Sequence, residues 1–162
     1  KEFGLDVYVD WVTYEKDSWF GIETAGYWLD NGESIIYIPK TKCKRTQEEF
    51  LYHELGHAIA AHYKIPKYIT NLIGELNTEN YLLYRLKCIR YRHASRPEGM
   101  CSGYSQSNNE EEFAELVSFV LSNRRKVRYF NFQGELIDIK IDIILRKKVN
   151  VIKRFLNLNK KG

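Results

Sequence analysis

From Val7 to Pro39 the chain alternates Tyr, Trp, Val and Ile with polar residues, a pattern suited to pleated, half-buried strands. Within that stretch Asn31-Gly32 separates Tyr27-Trp28-Leu29 from Ile35-Ile36-Tyr37-Ile38. An Asn-Gly pair between two such runs predicts a hairpin, because both residues tolerate the positive φ that a tight reversal needs. The period then changes. Leu51, Leu55, Ala58 and Ile59 recur at helical spacing, Thr46 and Glu49 form a capping-box pair, and Pro66 marks a stop. Together they predict a helix from about Gln47 to His62.

Leu72, Leu76, Leu82, Leu83 and Leu86 predict one or two further helices between Ile69 and Arg92. The run from His93 to Asn109, with Pro97, Gly99 and Gly103 among several Ser and Asn, reads as a loop. Phe113, Leu116, Val117, Val120 and Leu121 then mark an amphipathic helix over about Asn109 to Ser122. Beyond Arg124 two periods compete: Ile137, Ile139, Ile141 and Ile143 alternate as in a strand, while Ile137, Ile141 and Ile144 also suit a helix. The fold class expected is α+β: an N-terminal antiparallel sheet or hairpin, a central helix, and a helical C-terminal part.

At 162 residues and 19.2 kDa a single domain is expected, about 1–45 mainly β, 46–123 mainly helical and 124–162 a basic extension. Hydrophobic residues at 44% and charged residues at 28% exclude a disordered chain. No run approaches the roughly 18 apolar residues of a membrane span. Cys43, Cys88 and Cys101 are scattered without CxxC spacing, which argues against a disulfide framework or a cysteine zinc ribbon and favours a reducing compartment. With Lys1 first and Met100 the only methionine, the chain is expected to be a processed or trimmed piece.

The net charge of +4 conceals an asymmetry. Residues 124–162 hold twelve Lys or Arg against three acids, Glu135, Asp138 and Asp142, a net of +9; the first 123 residues hold thirteen against eighteen, a net of −5. A basic segment of this kind suits nucleic acid, anionic lipid or an acidic protein, although a solvated basic face is the commoner meaning.

The chemistry concentrates in His53-Glu54-Leu55-Gly56-His57, an HExxH on the predicted central helix. Four residues advance a helix by about 400°, so His53 and His57 lie only about 40° apart and both imidazoles can reach one Zn²⁺ at about 2.0–2.1 Å. Glu54 sits beside them, placed to take a proton from a metal-activated water and pass it to the leaving amine. His62 falls about 140° away from that face and reads as packing or surface; His93 also lies outside the site.

A catalytic zinc uses three protein ligands and one open position. The metzincin extension would need Gly at 60 and His at 63, where this chain has Ala60 and Tyr63, so that subclass is excluded. The third ligand is expected among the acids that open the later helix, Glu110-Glu111-Glu112-Phe113-Ala114-Glu115. Glu111 and Glu115 share a face away from Phe113, Val117 and Val120. Glu111 is therefore the favoured ligand, with Glu112 and Glu115 as alternatives, and Glu115 is suited to accept the free ring N–H of a ligand histidine.

The segment Tyr104-Ser105-Gln106-Ser107-Asn108-Asn109-Glu110-Glu111-Glu112-Phe113-Ala114-Glu115 resembles the second motif of the anthrax lethal factor-like zinc metallopeptidases, which include the Pro-Pro endopeptidases. In that family a Tyr stands seven residues before the glutamate ligand and a Glu four residues after it; Tyr104, Glu111 and Glu115 match. With the HExxH, the resemblance covers roughly residues 28–122. It implies a zincin-like fold and a zinc endopeptidase of the gluzincin type acting on an extended peptide or protein. It further implies that Tyr104 hydrogen-bonds the tetrahedral oxyanion and that the strand Ser34–Pro39, with Ile35, Ile36, Tyr37 and Ile38, is an edge that pairs with the substrate backbone. A secreted or delivered protein is implied as well, with a cytoplasmic one as the alternative.

Two other function classes fit the same residues. One is an intracellular zincin-like regulator of a mobile element or of the antirestriction type, with one protein target and nucleic-acid contact through 124–162. The other is a silent binding domain whose HExxH is incidental, which would hold no stoichiometric zinc.

Overall fold

A computed structural model describes residues 7–12, 26–30, 33–39, 44–63, 69, 71, 99–102, 104–106, 108–130 and 136–159. The expected helices between Ile69 and Arg92, the Asn31-Gly32 turn and His93 lie outside the described residues. Helix and strand are mixed, with helix predominating.

Three strands come first: β1 (Val7–Val12), β2 (Gly26–Asp30) and β3 (Glu33–Pro39). β2 and β3 pair antiparallel with Asp30 opposite Glu33, which leaves two residues between them, as the Asn-Gly signal requires. β1 departs from the antiparallel expectation. It pairs parallel to β3, Val7 opposite Ser34 and Val12 opposite Pro39, giving the order β1-β3-β2. Two reversals of direction, from β1 to β2 and from β2 to β3, bring β3 back parallel to β1, and β3 lies between the other two.

Helix α1 (Lys44–Tyr63) follows, three residues earlier than expected, so Thr46 lies inside its first turn and does not cap it. Lys44 and Arg45 are good helix formers and extend the helix N-terminally at little cost. α1 packs on β3 and β2 and, more extensively, on α2 (Asn109–Leu121). Both sides of α1 are therefore covered, with Ala58 and Ile59 fully buried.

α2 has the boundaries its periodicity predicts. Asn108, in extended backbone, caps it by accepting from the Glu111 N–H at 2.8 Å, and Glu110, Glu111 and Glu112 in the first turn complement the helix dipole. At the other end Asn123 takes a left-handed φ of 51°, a conformation Asn tolerates, and the Arg124 N–H donates to the Phe119 carbonyl.

The ambiguous stretch beyond Arg124 contains both structures in sequence: a hairpin of β4 (Lys126–Phe130) and β5 (Leu136–Lys140), then helix α3 (Ile143–Asn159). The expected extension is integral to the fold. Leu145, Val149, Ile152, Phe155 and Leu156 of α3 join Ile59 of α1 and Phe113, Leu116, Val117 and Phe119 of α2 in one buried cluster. Phe113 and Phe155 meet edge to face at 5.7 Å, a favoured aromatic geometry. Asp142 caps α3 through the Leu145 N–H at 2.8 Å, and its other oxygen accepts from the Gly99 N–H at 3.0 Å, which ties the loop before α2 to the start of α3.

Candidate metal centre

The helical spacing that put His53 and His57 on one face of α1 is realised, with their Nε2 atoms 3.2 Å apart. Both face α2. Glu111 Oε2 lies 3.2 Å from His53 Nε2 and 3.3 Å from His57 Nε2, so three donor atoms close a nearly equilateral triangle. A tetrahedral ion with bonds of about 2.0–2.1 Å holds its ligands about 3.3–3.4 Å apart. This group could hold a metal ion.

The chemistry of the donor set supports that fit. Glu111 Oε2 is buried and makes no hydrogen bond. A carboxylate oxygen and two imidazole nitrogens pointing at one another place lone pair against lone pair unless a cation or a proton stands between them. Burial alone would lower the pKa of His53, but the Glu111 and Glu115 carboxylates override it and raise the value to about 10. Burial would raise Glu111, and its contacts with His53 and His57 instead hold it well below the carboxylate range.

Glu115 stands one turn further along α2, with Oε1 2.9 Å from His53 Nδ1. The distance is that of a hydrogen bond, although ring and carboxylate are not well aligned. A proton on Nδ1 leaves the Nε2 lone pair free for a metal, the arrangement by which a carboxylate fixes a ligand imidazole. Glu115 is itself held below its ordinary range: burial opposes ionisation, and the His53 and Ser102 contacts prevail.

Glu112 takes no part in the triangle. It is 1% exposed and points the other way, to Lys148 of α3, which is 0% exposed. Of the three candidate carboxylates, Glu111 faces both histidines, Glu115 faces the far nitrogen of His53, and Glu112 is bound into the core.

Glu54 is buried beside the pair on α1. Tyr104, in a single 3₁₀ turn (Tyr104–Gln106), stands over the site with its ring 5.7 Å from that of His53 and 54% of its surface exposed. Burial and the Glu111 carboxylate push the phenol up to about 12, so it keeps its proton at neutral pH. His62 is exposed and packs edge to face on Tyr63, away from the centre.

The strand reading needs correction. β3 is the central strand, paired with β1 on one side and β2 on the other, so the backbone of Ile35, Ile36, Tyr37 and Ile38 is engaged within the sheet. Ile36 and Ile38 are fully buried. They are core residues, and β3 is no edge for a substrate.

Two contributors escaped the spacing arguments. Ser102 lies close enough to Glu115 to help hold its carboxyl low, and the Ser102 Oγ accepts from the Ser105 N–H at 3.1 Å in the turn that carries Tyr104. Serines in a Gly/Asn-rich loop carry no distinguishing signal. Gly56 occupies a variable position of HExxH, yet it sits where α1 and α2 touch: a β-carbon there would lie 2.7 Å from Ala114 Cα. A glycine inside an otherwise good helix was the available signal for that close approach. Cys101, beside Ser105 at 3.5 Å, is buried and its thiol is pushed up to about 12, mainly by burial, so it is no thiolate nucleophile.

Compared with protein-family models, with curated proteins and with solved structures, the chain matches none.

Proposed function

We propose that this protein is a zinc-dependent endopeptidase of the HExxH gluzincin type, with a zincin-like fold similar to the lethal factor-like peptidases. The observation that carries the reading is the convergence of His53 Nε2, His57 Nε2 and Glu111 Oε2 within 3.2–3.3 Å from two helices. These three residues would hold the ion. A bound Zn²⁺ supplies Lewis acidity, polarising a scissile carbonyl and acidifying a water.

The chain's own groups supply the rest. Glu54, adjacent to both ligands, takes the proton of the attacking water and delivers it to the departing nitrogen. Tyr104, protonated and exposed over the site, donates to the oxyanion that develops on the carbonyl. Glu115 keeps the His53 ring in the tautomer that presents Nε2 to the ion. Among the described strands the outer one that touches α1 is β2, so an extended substrate would meet the sheet there, not at β3.

The test is metal content and cleavage of a diverse peptide library, with Glu54→Gln, His53→Ala and Glu111→Ala alongside the unaltered protein. One zinc per chain, kept in Glu54→Gln and lost in the other two, with cleavage lost in all three, is the expected result. Zinc without cleavage would leave a metal-binding protein of another activity, and absence of zinc would overturn the reading.

A further inference from the structure

Helix α3 turns two faces in different directions. Its apolar side, Leu145, Val149, Ile152, Phe155 and Leu156, is buried in the core with α1 and α2. The opposite face presents Arg146, Lys147, Asn150, Lys153, Arg154 and Asn157, all exposed, and Ile143 opens it. Seven residues separate the pair Arg146/Lys147 from the pair Lys153/Arg154, so two cationic pairs stand roughly 10 Å apart along the helix. The helix contains no Asp or Glu, and among the described residues none of these four cations forms an ion pair.

A surface that serves solubility mixes charges of both signs, and this face carries one sign only. Cations are favoured in the last turn of a helix and acids in the first. α2 follows the first half of this rule, with three glutamates in its first turn, and has no cation in its last. In α3 the one acid at the N-terminus is the capping Asp142, and Arg146 and Lys147 follow it close to the positive end of the dipole. Asp142 supplies an acid at the N-terminus of α3, so what lacks a counter-charge is the outward stripe itself, four exposed cations on a helix that contains no acid.

Three polyanionic surfaces come into question, and the face itself decides among them. An interfacial membrane helix inserts an apolar side, and the apolar side of α3 is already used in the core. A protein partner needs aromatic or aliphatic anchors at the centre of its contact, and this face has Ile143 at one end only. Arg, Lys and Asn in a straight file, without anchors, are what contacts a sugar-phosphate backbone. Measured along the duplex axis, a stripe of this length covers about three base-pair steps at roughly 3.4 Å each.

We infer that the outer face of α3 binds the phosphate backbone of nucleic acid through Arg146, Lys147, Lys153 and Arg154. The site is separate from the metal centre and stands whether or not the peptidase reading does.

The experiment measures binding of the whole protein to a labelled 30-base-pair duplex and to its single strand by fluorescence anisotropy between 50 and 200 mM KCl. Four phosphate contacts give a slope of log affinity against log salt of about −3.6 on the duplex and about −2.8 on the single strand, a loss of about a hundredfold over that range on the duplex. Arg146→Gln/Lys147→Gln and Lys153→Gln/Arg154→Gln should each flatten the slope by about 2, and the quadruple variant should abolish binding, with circular dichroism confirming that the helix remains. Zinc content and peptide cleavage should be unchanged. Binding that is absent at 50 mM, a slope indifferent to the substitutions, or tighter binding to phosphatidylserine vesicles or to a poly-glutamate peptide would each overturn the inference.

Discussion

Gly56 and Ala114 touch backbone to backbone: a β-carbon on the glycine would lie 2.7 Å from the alanine Cα and 3.2 Å from its carbonyl oxygen. The two helix backbones are close-packed at this point. Gly56 lies between His53 and His57 in the chain, and Ala114 between Glu111 and Glu115. The same contact that lets the helices meet brings both carboxylates within reach of the imidazoles.

Gly56→Ala should therefore damage the centre without touching a ligand. The added methyl meets backbone, which cannot rotate away, so the helices must separate, at about 1–3 kcal/mol. The melting temperature should fall by roughly 3–10 °C, and zinc affinity, measured by competition with a chelating dye, should drop at least about tenfold as the Glu111–histidine distances lengthen. Unchanged affinity would show that the centre tolerates helix separation.

Glu54→Gln and Tyr104→Phe should separate chemistry from metal binding. The first keeps an amide of the same shape but removes the proposed base, so zinc should stay and kcat should fall by about 10²–10⁴. The second removes the proposed donor to the oxyanion and should lower kcat by about 10²–10³ with KM little altered. Steady-state kinetics on any cleaved peptide decides both, and a KM-only effect for Tyr104→Phe would assign it to substrate binding.

The pH dependence of the metal-free protein follows from His53. Its folded pKa, about 10 against 6.5 for an ordinary imidazole, is raised, so the stability it contributes is complete below about pH 6.5 and is lost as the pH rises through about 10. Thermal melts of metal-stripped protein should fall between pH 7 and 10. Glu115, held below its ordinary value, acts in the opposite sense: its contribution is present above about pH 4.5 and is lost on acidification. Zinc bound at the proposed centre would displace the His53 proton, so calorimetry of zinc addition at pH 7 in buffers of different ionisation heat should register proton release. A melt that is flat up to pH 10 would contradict the first expectation.

Lys148→Met should be among the most destabilising single changes. It leaves the buried Glu112 carboxylate without its cation, at about 3–5 kcal/mol. Lys148→Met combined with Glu112→Leu should recover most of the loss, because two apolar side chains of similar volume need no pairing. Chemical denaturation of the three proteins measures it, and a single variant as stable as the parent would show that the pair is not stabilising.

How much was legible in the chain depends on how far apart the interacting residues are. The common face of His53 and His57, the common face of Glu111 and Glu115, the extent of α2 and the β2–β3 hairpin all follow from spacings of a few residues, because a backbone period by itself sets which side chains are neighbours. Alternation in β1 and β3 could not reveal that they pair in parallel or that β3 ends up central, since a strand's pattern specifies its faces and not its partners. The isoleucines from Ile137 to Ile144 suited strand and helix alike; the chain makes both, parted at Asp142, which caps α3.

Local spacing favoured Glu111 among the three carboxylates but left Glu112 and Glu115 open. What the spacing did not carry is the fate of Glu112: Lys148, 36 residues further on, takes that carboxylate into the core, while Glu111 faces the histidines. Sequence alone determined the local periods, and with them the groups that could share a helical face. Packing between distant segments decided which of those groups meet, because that depends on a helix contact at Gly56 and a buried charge pair that no short-range spacing encodes.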